Sequence, residues 1–196
     1  MKRRNKKNVL GVPTLDQLEF ELRRERYQHR YRATLRSTIL VLISVAAIAV
    51  LIATLWMPVF KIHGSSMTPT LNNGNVVIAV KSSQLESGDI IAFYYNNKIL
   101  VKRVIAEAGQ QVELKRNGTV YVDNIELKEP YLEKAAFGDC DIEMPYQVPE
   151  SRVFVMGDQR EQSVDSRNTA IGCIAEEQIV GRLLFCIWPM SDFGKI

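Results

Sequence analysis

Ser66 and Lys102 carry the side chains whose chemistry is most informative in this chain. A serine hydroxyl becomes a nucleophile when a base takes its proton, and in serine proteases that base is most often a histidine held by an aspartate. The chain contains only two histidines, His29 and His63. His29 precedes a long apolar segment and His63 lies only three residues before Ser66, so neither is well placed to act as its base. A Ser-His-Asp triad is therefore not expected, and a serine activated by a lysine is the remaining option.

Lys102 lies in the sequence Leu-Val-Lys-Arg-Val, whose alternation predicts a β-strand. In a strand, Lys102 shares one face with Leu100 and Val104, while Arg103 points to the opposite face. A lysine on an apolar face is desolvated, which lowers its pKa from about 10.4 towards the roughly 7 to 8 that suits a general base. Taken alone, such a lysine is typical of an ordinary snorkelling side chain, so its assignment as a base depends on the other motifs.

A third cluster, residues 157–167, brings opposite charges and hydroxyl groups together in eleven residues. Taken alone it is typical of a solvated turn. As a functional unit, Ser163 is predicted to hydrogen-bond the neutral lysine amine, and Asp165 with Arg167 to brace the loop as a bidentate ion pair. A second predicted ion pair joins Asp158 and Arg160.

An uncharged segment, residues 37–60, ends shortly before Ser66. Its 24 residues are mostly Leu, Ile, Val and Ala, and as a helix they would span roughly 36 Å, more than the roughly 30 Å hydrocarbon core of a bilayer. We therefore predict one transmembrane helix. Trp56, Met57 and Pro58 close this segment where a cleaved secretory signal would carry small residues, which favours an uncleaved anchor.

Charge is distributed unequally about this segment. Residues 1–36 carry 11 Lys or Arg and 4 Asp or Glu, a net charge of +7, whereas the residues after the anchor carry 14 and 18, a net charge of −4. Basic residues remain on the cytoplasmic side, which predicts a cytoplasmic N-terminus and an extracytoplasmic C-terminal domain. The overall charge of +3 therefore reflects topology, and a nucleic-acid role is the weaker interpretation of the basic cluster at residues 2–7.

Three segments follow from this reasoning: a basic cytoplasmic segment at 1–36, a signal-anchor helix at 37–60 and a catalytic domain at 61–196. Residues 14–36 are also predicted to be helical. The last segment is mostly β, because its apolar runs are short, β-branched and bounded by turn residues. We expect a loop at 139–149 and strands at 75–80, 89–95, 99–106, 111–115, 119–122, 152–156 and 179–187.

The three cysteines are odd in number and have no metal-binding spacing. An extracytoplasmic position would permit one disulfide. Cys173 and Cys186 lie in hydrophobic sequence, which favours buried thiols.

Together these motifs resemble those of the bacterial type I signal peptidases, membrane-anchored Ser-Lys proteases that remove signal peptides from exported proteins. Four segments follow one another in the family's order behind one anchor: residues 66–71, 88–93, 101–105 and 157–167. Residues 129–132 and 185–189 are also similar to the single-span members typical of Gram-positive bacteria.

The resemblance implies a role for each matching residue. Ser66 would be the nucleophile, with its backbone N–H in the oxyanion hole, Lys102 the general base and Ser163 the residue that orients the lysine amine. Some relatives carry a second oxyanion donor at the position of Gly64. The supporting residues would be Asp158, Arg160, Asp165 and Arg167.

The resemblance also implies a fold, partners and a location. The fold would be the antiparallel β-sheet catalytic domain of signal peptidases and LexA-like proteins, preceded by one transmembrane helix. The partners would be secretory preproteins and the lipid bilayer, near the protein-export translocon, with no metal or organic cofactor and no nucleic acid. The protein would cleave after small residues at −3 and −1, from the outer face of the cell membrane.

Two alternatives remain at this point. One is a Ser-Lys protease dedicated to a single substrate, such as a pilin. LexA-like repressors share the Ser-Met and Lys-Arg signatures, but the anchor and the absence of a recognisable DNA-binding domain argue against that form. The other alternative is a membrane-anchored module that binds export substrates without cutting them.

Overall fold

The computed structural model describes residues 15–82 and 84–196. The chain divides into two compact units, of which the first ends at Ile52 and the second begins at Ala53. The basic cluster at residues 2–7 lies outside the described residues.

One long helix, α1, covers Leu15–Trp56 and has no buried residue. It is long and apolar enough to cross a membrane. The helix ends four residues before the predicted end of the apolar segment, because Pro58 lacks an N–H group and disfavours helical backbone at the residue before it. Residues 59 and 60 instead belong to the first strand.

Twelve strands follow, and every pairing among them in the described residues is antiparallel. The larger sheet has the order β1-β2-β11-β3-β4-β9-β10, with β12 beside β11, and the smaller sheet has the order β7-β6-β5-β8. The strands are β1 (Val59–Lys61), β2 (Val76–Val80), β3 (Ile90–Tyr95), β4 (Lys98–Ala106), β5 (Gln111–Leu114), β6 (Val120–Val122), β7 (Ile125–Glu126), β8 (Tyr146–Gln147), β9 (Arg152–Met156), β10 (Ile174–Ala175), β11 (Ile179–Trp188) and β12 (Gly194–Lys195). Two short 3-10 helices cover Glu176–Gln178 and Met190–Asp192.

The mostly antiparallel β fold predicted from the sequence is confirmed, and each of the seven expected strands is present within one residue of its predicted bounds. Sequence reasoning missed the shortest strands, including β8, which lies inside the segment expected to be a loop. Cys173 and Cys186 are buried, as expected from their surroundings. All three cysteines are free thiols.

Packing against the larger sheet fixes the segment that carries Ser66. Met67 and Leu71 are buried in a core cluster with residues of β2, β3 and β11. The Leu71 N–H donates to the Met67 carbonyl at 2.9 Å, so a hydrogen-bonded turn joins these two anchors. Ser66 directly precedes the first anchor and is half-buried.

The hairpin of β3 and β4 fixes Lys102. Asn96 and Asn97 form its turn with positive φ angles of 44° and 62°, the backbone that a two-residue turn of right-handed twist requires. This turn sets the register in which Lys102 lies opposite Ile91. Lys102 therefore occupies a central position in the larger sheet.

Candidate active site

Ser66 and Lys102 line one groove of about 570 Å³. The walls of this groove come from β1 with the residues after it, and from the first half of β4. The Ser66 carbonyl accepts a hydrogen bond from the Gln159 N–H at 3.0 Å, which ties the serine segment to the 157–167 loop. The Ser66 N–H forms no hydrogen bond within the described part of the chain. The hydrogen bond between the Gln159 N–H and the Ser66 carbonyl joins two main-chain groups, so it does not use the Gln159 side chain.

The Lys102 side chain is 4% exposed. Its Nζ donates to the Ser163 Oγ at 2.8 Å, and it forms no ion pair within residues 15–82 and 84–196. Burial lowers the pKa of Lys102 from 10.5 to about 8, partly opposed by the negative charge of Asp165. The predicted hydrogen bond between Lys102 and Ser163 is therefore present, and burial shifts the amine towards its neutral form.

Asp165 and Arg167 form the bidentate ion pair expected from the sequence. Arg167 Nε lies 2.8 Å from Asp165 Oδ1 and Arg167 Nη2 lies 2.8 Å from Asp165 Oδ2, and both side chains are fully buried. Burial alone would raise the pKa of Asp165, but its hydrogen bond and charge interaction with Arg167 hold that pKa below its ordinary value. The Gly157 N–H also donates to Asp165, at 2.9 Å. The pair thus links the two ends of the loop that carries Ser163.

The guanidinium of Arg167 also satisfies main-chain carbonyls. It donates to the carbonyl oxygens of Phe137, Arg160 and Ser163 at 2.7, 3.0 and 3.3 Å. Arg167 therefore holds the Ser163 main chain. We infer that the buried ion pair of Asp165 and Arg167 helps to position the Ser163 hydroxyl next to Lys102.

The predicted ion pair between Asp158 and Arg160 is wrong. Asp158 instead accepts from Arg103, with Nε to Oδ1 at 2.9 Å and Nη2 to Oδ2 at 2.6 Å. Arg160 instead pairs with Glu129, with Nη1 to Oε2 at 3.0 Å. Both side chains of the predicted pair are buried, and each is matched by a charge from a distant part of the chain.

Arg103 was expected on the face opposite Lys102, and there it joins this second network. Its guanidinium lies 3.9 Å from the centre of the Tyr131 ring and donates to the Gly88 carbonyl at 2.8 Å. The Tyr131 hydroxyl donates to Glu129 at 2.7 Å. Residues 129 and 131 were noted in the sequence only as a point of resemblance, because nothing local in the sequence indicates what they contact.

A family model described as signal peptidase, peptidase S26, matches residues 35–188. The chain belongs to the S26 signal peptidase family. It is therefore a peptidase of the serine hydrolase class.

Two relatives in sequence agree with this assignment. Signal peptidase IB of Staphylococcus aureus is 41% identical over 155 residues, covering 68% of this chain and 79% of the relative. Signal peptidase I of Bacillus amyloliquefaciens is 36% identical over 167 residues, covering 79% of this chain and 86% of the relative. A crystal structure of a signal peptidase I from Enterococcus faecalis V583 is 29% identical, with a TM-score of 0.45, and covers 52% of this chain and 97% of that chain.

No group of three or more His, Cys, Asp or Glu side chains within the described residues is arranged to hold a metal ion. Asp158 and Asp165, whose charges act on Lys102, each form a two-point ion pair with an arginine.

In this S26 family member, Gly157 packs against the Ser163 side chain and the Ser66 main chain. A methyl group at its α-carbon would lie 2.2 Å from Ser163 Oγ and 2.6 Å from the Ser66 carbonyl oxygen. Gly157→Ala is therefore expected to displace one serine or the other and to lower kcat/KM for peptide hydrolysis by about 10²-fold, the cost of a misplacement of about 1 Å. Steady-state kinetics of the detergent-solubilised full chain measure this change.

Gly194→Ala is the matched control, because a methyl group there meets no atom within 4 Å. This variant should retain activity within about twofold, as expected for a substitution in open space. Equal activities of the two variants would contradict the proposed packing role of Gly157.

Proposed function

We propose that this S26 peptidase is a membrane-bound endopeptidase that cleaves N-terminal signal peptides from exported preproteins, after small residues at −3 and −1. The observation that carries the proposal is the buried Lys102 side chain. Its amine donates a hydrogen bond to Ser163, and Lys102 lines the same groove as Ser66. The names of the relatives support the substrate class, since they are called signal peptidases.

In this mechanism, neutral Lys102 takes the proton from the Ser66 hydroxyl. Lowering the lysine pKa from 10.5 to about 8 raises the fraction of neutral amine at pH 7 about 300-fold, to roughly one molecule in ten. Ser163 accepts one N–H of the amine at 2.8 Å, which directs the lone pair and limits rotation. Ser66 and Lys102 are thus proposed as nucleophile and general base.

Attack on the scissile carbonyl would form a tetrahedral intermediate. Its collapse would break the C–N bond, leave an acyl-enzyme and release the mature protein, whose new N-terminal amine takes the proton from Lys102 and leaves the lysine neutral again. The developing oxyanion would be stabilised by the Ser66 N–H, which is not engaged elsewhere in the described residues. Gly64 offers no hydroxyl as a second donor, so a main-chain group or water would supply any further stabilisation. Lys102 would then activate the water that hydrolyses the ester.

Free strand edges support binding of the substrate as an added strand. β1 pairs only with β2 in the described residues, and β9 contacts β4 only from Arg103 onwards. The main chain of residues 98–102 is therefore unpaired on the groove side. An extended peptide between these edges would place its −1 and −3 side chains on the same face, where shallow apolar walls would select small residues.

The N-terminal helix supports a membrane location for this activity. α1 is apolar enough to cross a bilayer, and Arg30, Arg32 and Arg36 precede its apolar half. We infer that residues 1–36 are cytoplasmic, that the apolar half of α1 is the single-pass anchor, and that the catalytic domain is extracytoplasmic, beside the lipid bilayer and near the protein-export translocon.

The proposed base predicts a defined pH dependence. Because only neutral Lys102 accepts the proton, kcat/KM should rise about tenfold per pH unit below the lysine pKa and reach half of its maximum near pH 8, where burial sets that pKa. Initial rates on a peptide substrate, with the fold monitored by circular dichroism at each pH, measure the profile. A rate that is constant across this range would show that another group acts as the base.

Processing of a preprotein tests the function itself. The full chain in detergent would be incubated with a preprotein that carries Ala-x-Ala before its mature sequence, and the N-terminus of the product would be sequenced. We expect one cut immediately after the motif. Intact substrate across several preproteins would instead favour a protease with a dedicated substrate, or a module that binds without cutting.

A further inference from the structure

Besides Lys102, three basic residues lie among the mostly apolar residues that line the groove beside Ser66. Lys61 and His63 come from β1 and the residues after it, and Lys98 comes from the start of β4. No Asp or Glu is among the described residues that line it.

The positive charge of these lysines is not neutralised. Lys61 and Lys98 are exposed, and neither forms an ion pair within the part of the chain that the structure describes. This contrasts with the neighbouring arginines 103, 160 and 167, each of which is matched by a carboxylate. The groove therefore presents uncompensated positive charge to whatever binds in it.

The two lysines lie at similar distances along the chain from the reactive residues. Lys98 precedes Lys102 by four residues, and Lys61 precedes Ser66 by five. At about 3.4 Å per residue, Lys98 is about 14 Å from Lys102 along its strand. A peptide strand lying beside β4 has the same rise, so a residue about four positions from its scissile bond would pass beside Lys98, in the groove that Lys61 also lines.

We propose that this groove selects its substrates by charge: preproteins with an acidic residue within about five positions of the scissile bond are favoured, and those with a basic residue there are disfavoured. This inference rests on the proposed function, which assigns the groove to the substrate. Anionic lipid headgroups have the same charge as such a residue, but the free strand edges that flank the lysines favour a peptide.

A set of peptides tests the preference. Each peptide carries Ala-x-Ala and one Asp, Lys or Asn at a single position between −5 and +5, and kcat/KM is measured with the full chain in a non-ionic detergent. At an ionic strength near 0.01 M, where charges interact over about 30 Å, we expect the Asp peptide to exceed the Lys peptide about fivefold at the best position. The ratio should fall to within about twofold at 1 M salt.

Charge reversal assigns the effect to these side chains. The double variant Lys61→Glu with Lys98→Glu should prefer the Lys peptide. The control Lys81→Glu changes an exposed lysine that lines a separate cavity, and it should keep the preference of the parent for Asp.

Several results would overturn the inference. The first is a ratio of kcat/KM between the Asp and Lys peptides that stays within about twofold at every position at low salt. The second is a double variant that keeps the preference of the parent. The third is a preference that appears only when vesicles of anionic lipid are added. The last result would assign the lysines to the bilayer surface. Failure of the parent to cleave even the Asn peptides would overturn the proposed function itself and this inference with it.

Discussion

Lys102→Met is expected to lower kcat/KM for preprotein cleavage by at least about 10³-fold, within the range that a positioned general base contributes. Methionine nearly fills the volume of the lysine but cannot accept a proton. Because Lys102 is 4% exposed and has no carboxylate partner, replacing its amine with an apolar group should leave the free energy of unfolding unchanged or higher. Steady-state kinetics and thermal unfolding of the same samples separate the two effects.

Ser66→Ala supplies the comparison for this variant. Since the nucleophile and its base act as one unit, the variant with both substitutions should be no slower than either single variant. Additive losses would contradict a shared step. Substantial cleavage by Lys102→Met at neutral pH would remove Lys102 from the mechanism.

Asp165→Asn is expected to lower the free energy of unfolding by about 3 to 5 kcal/mol, because it leaves the charge of Arg167 buried and uncompensated. Both side chains of this pair are 0% exposed. The folded-state pKa of Asp165 lies below its ordinary value, so the ion pair stabilises the fold above the ordinary aspartate range and loses this effect as pH falls through the folded-state pKa. Urea unfolding of the full chain in detergent at neutral and acidic pH measures the difference.

The same loop contains the control for this prediction. Glu161 pairs with Lys134 on the surface, and their side chains are 50% and 74% exposed. Glu161→Gln should change the free energy of unfolding by no more than about 1 kcal/mol, the usual limit for an exposed pair. If the two variants have equal stability, the buried ion pair does not support the loop as we describe.

The sequence predicted those parts of the fold and site that depend on local pattern. Alternating apolar residues and the Asn-Asn turn were sufficient to predict the two strands β3 and β4 and the turn between them. The same alternation predicted that Lys102 and Arg103 lie on opposite faces of β4. The hydrogen bond between Ser163 and Lys102 was also predicted, from the hydroxyl groups of the 157–167 loop and from the resemblance to signal peptidases, and it is present at 2.8 Å.

The partners of Asp158 and Arg160 could not be predicted in the same way. These residues are two positions apart in the chain, which suggested a local pair, but both are buried and each requires a charge that tertiary folding delivers. Arg103 comes from β4, and Glu129 comes from a segment without regular structure. Strands of two residues, such as β8, have too little alternation for a pattern to be detected.

The identity of the acylated residue tests the central claim most directly. A peptide thioester ending in Ala-x-Ala acylates faster than an amide, so the acyl-enzyme should accumulate in the first turnovers and can be quenched with acid. Peptide mass spectrometry of the quenched full chain should find the acyl group on Ser66, and Lys102→Met should remain unlabelled near neutral pH. Acylation of a different residue, or equal labelling of Lys102→Met, would contradict a Ser66 nucleophile activated by Lys102.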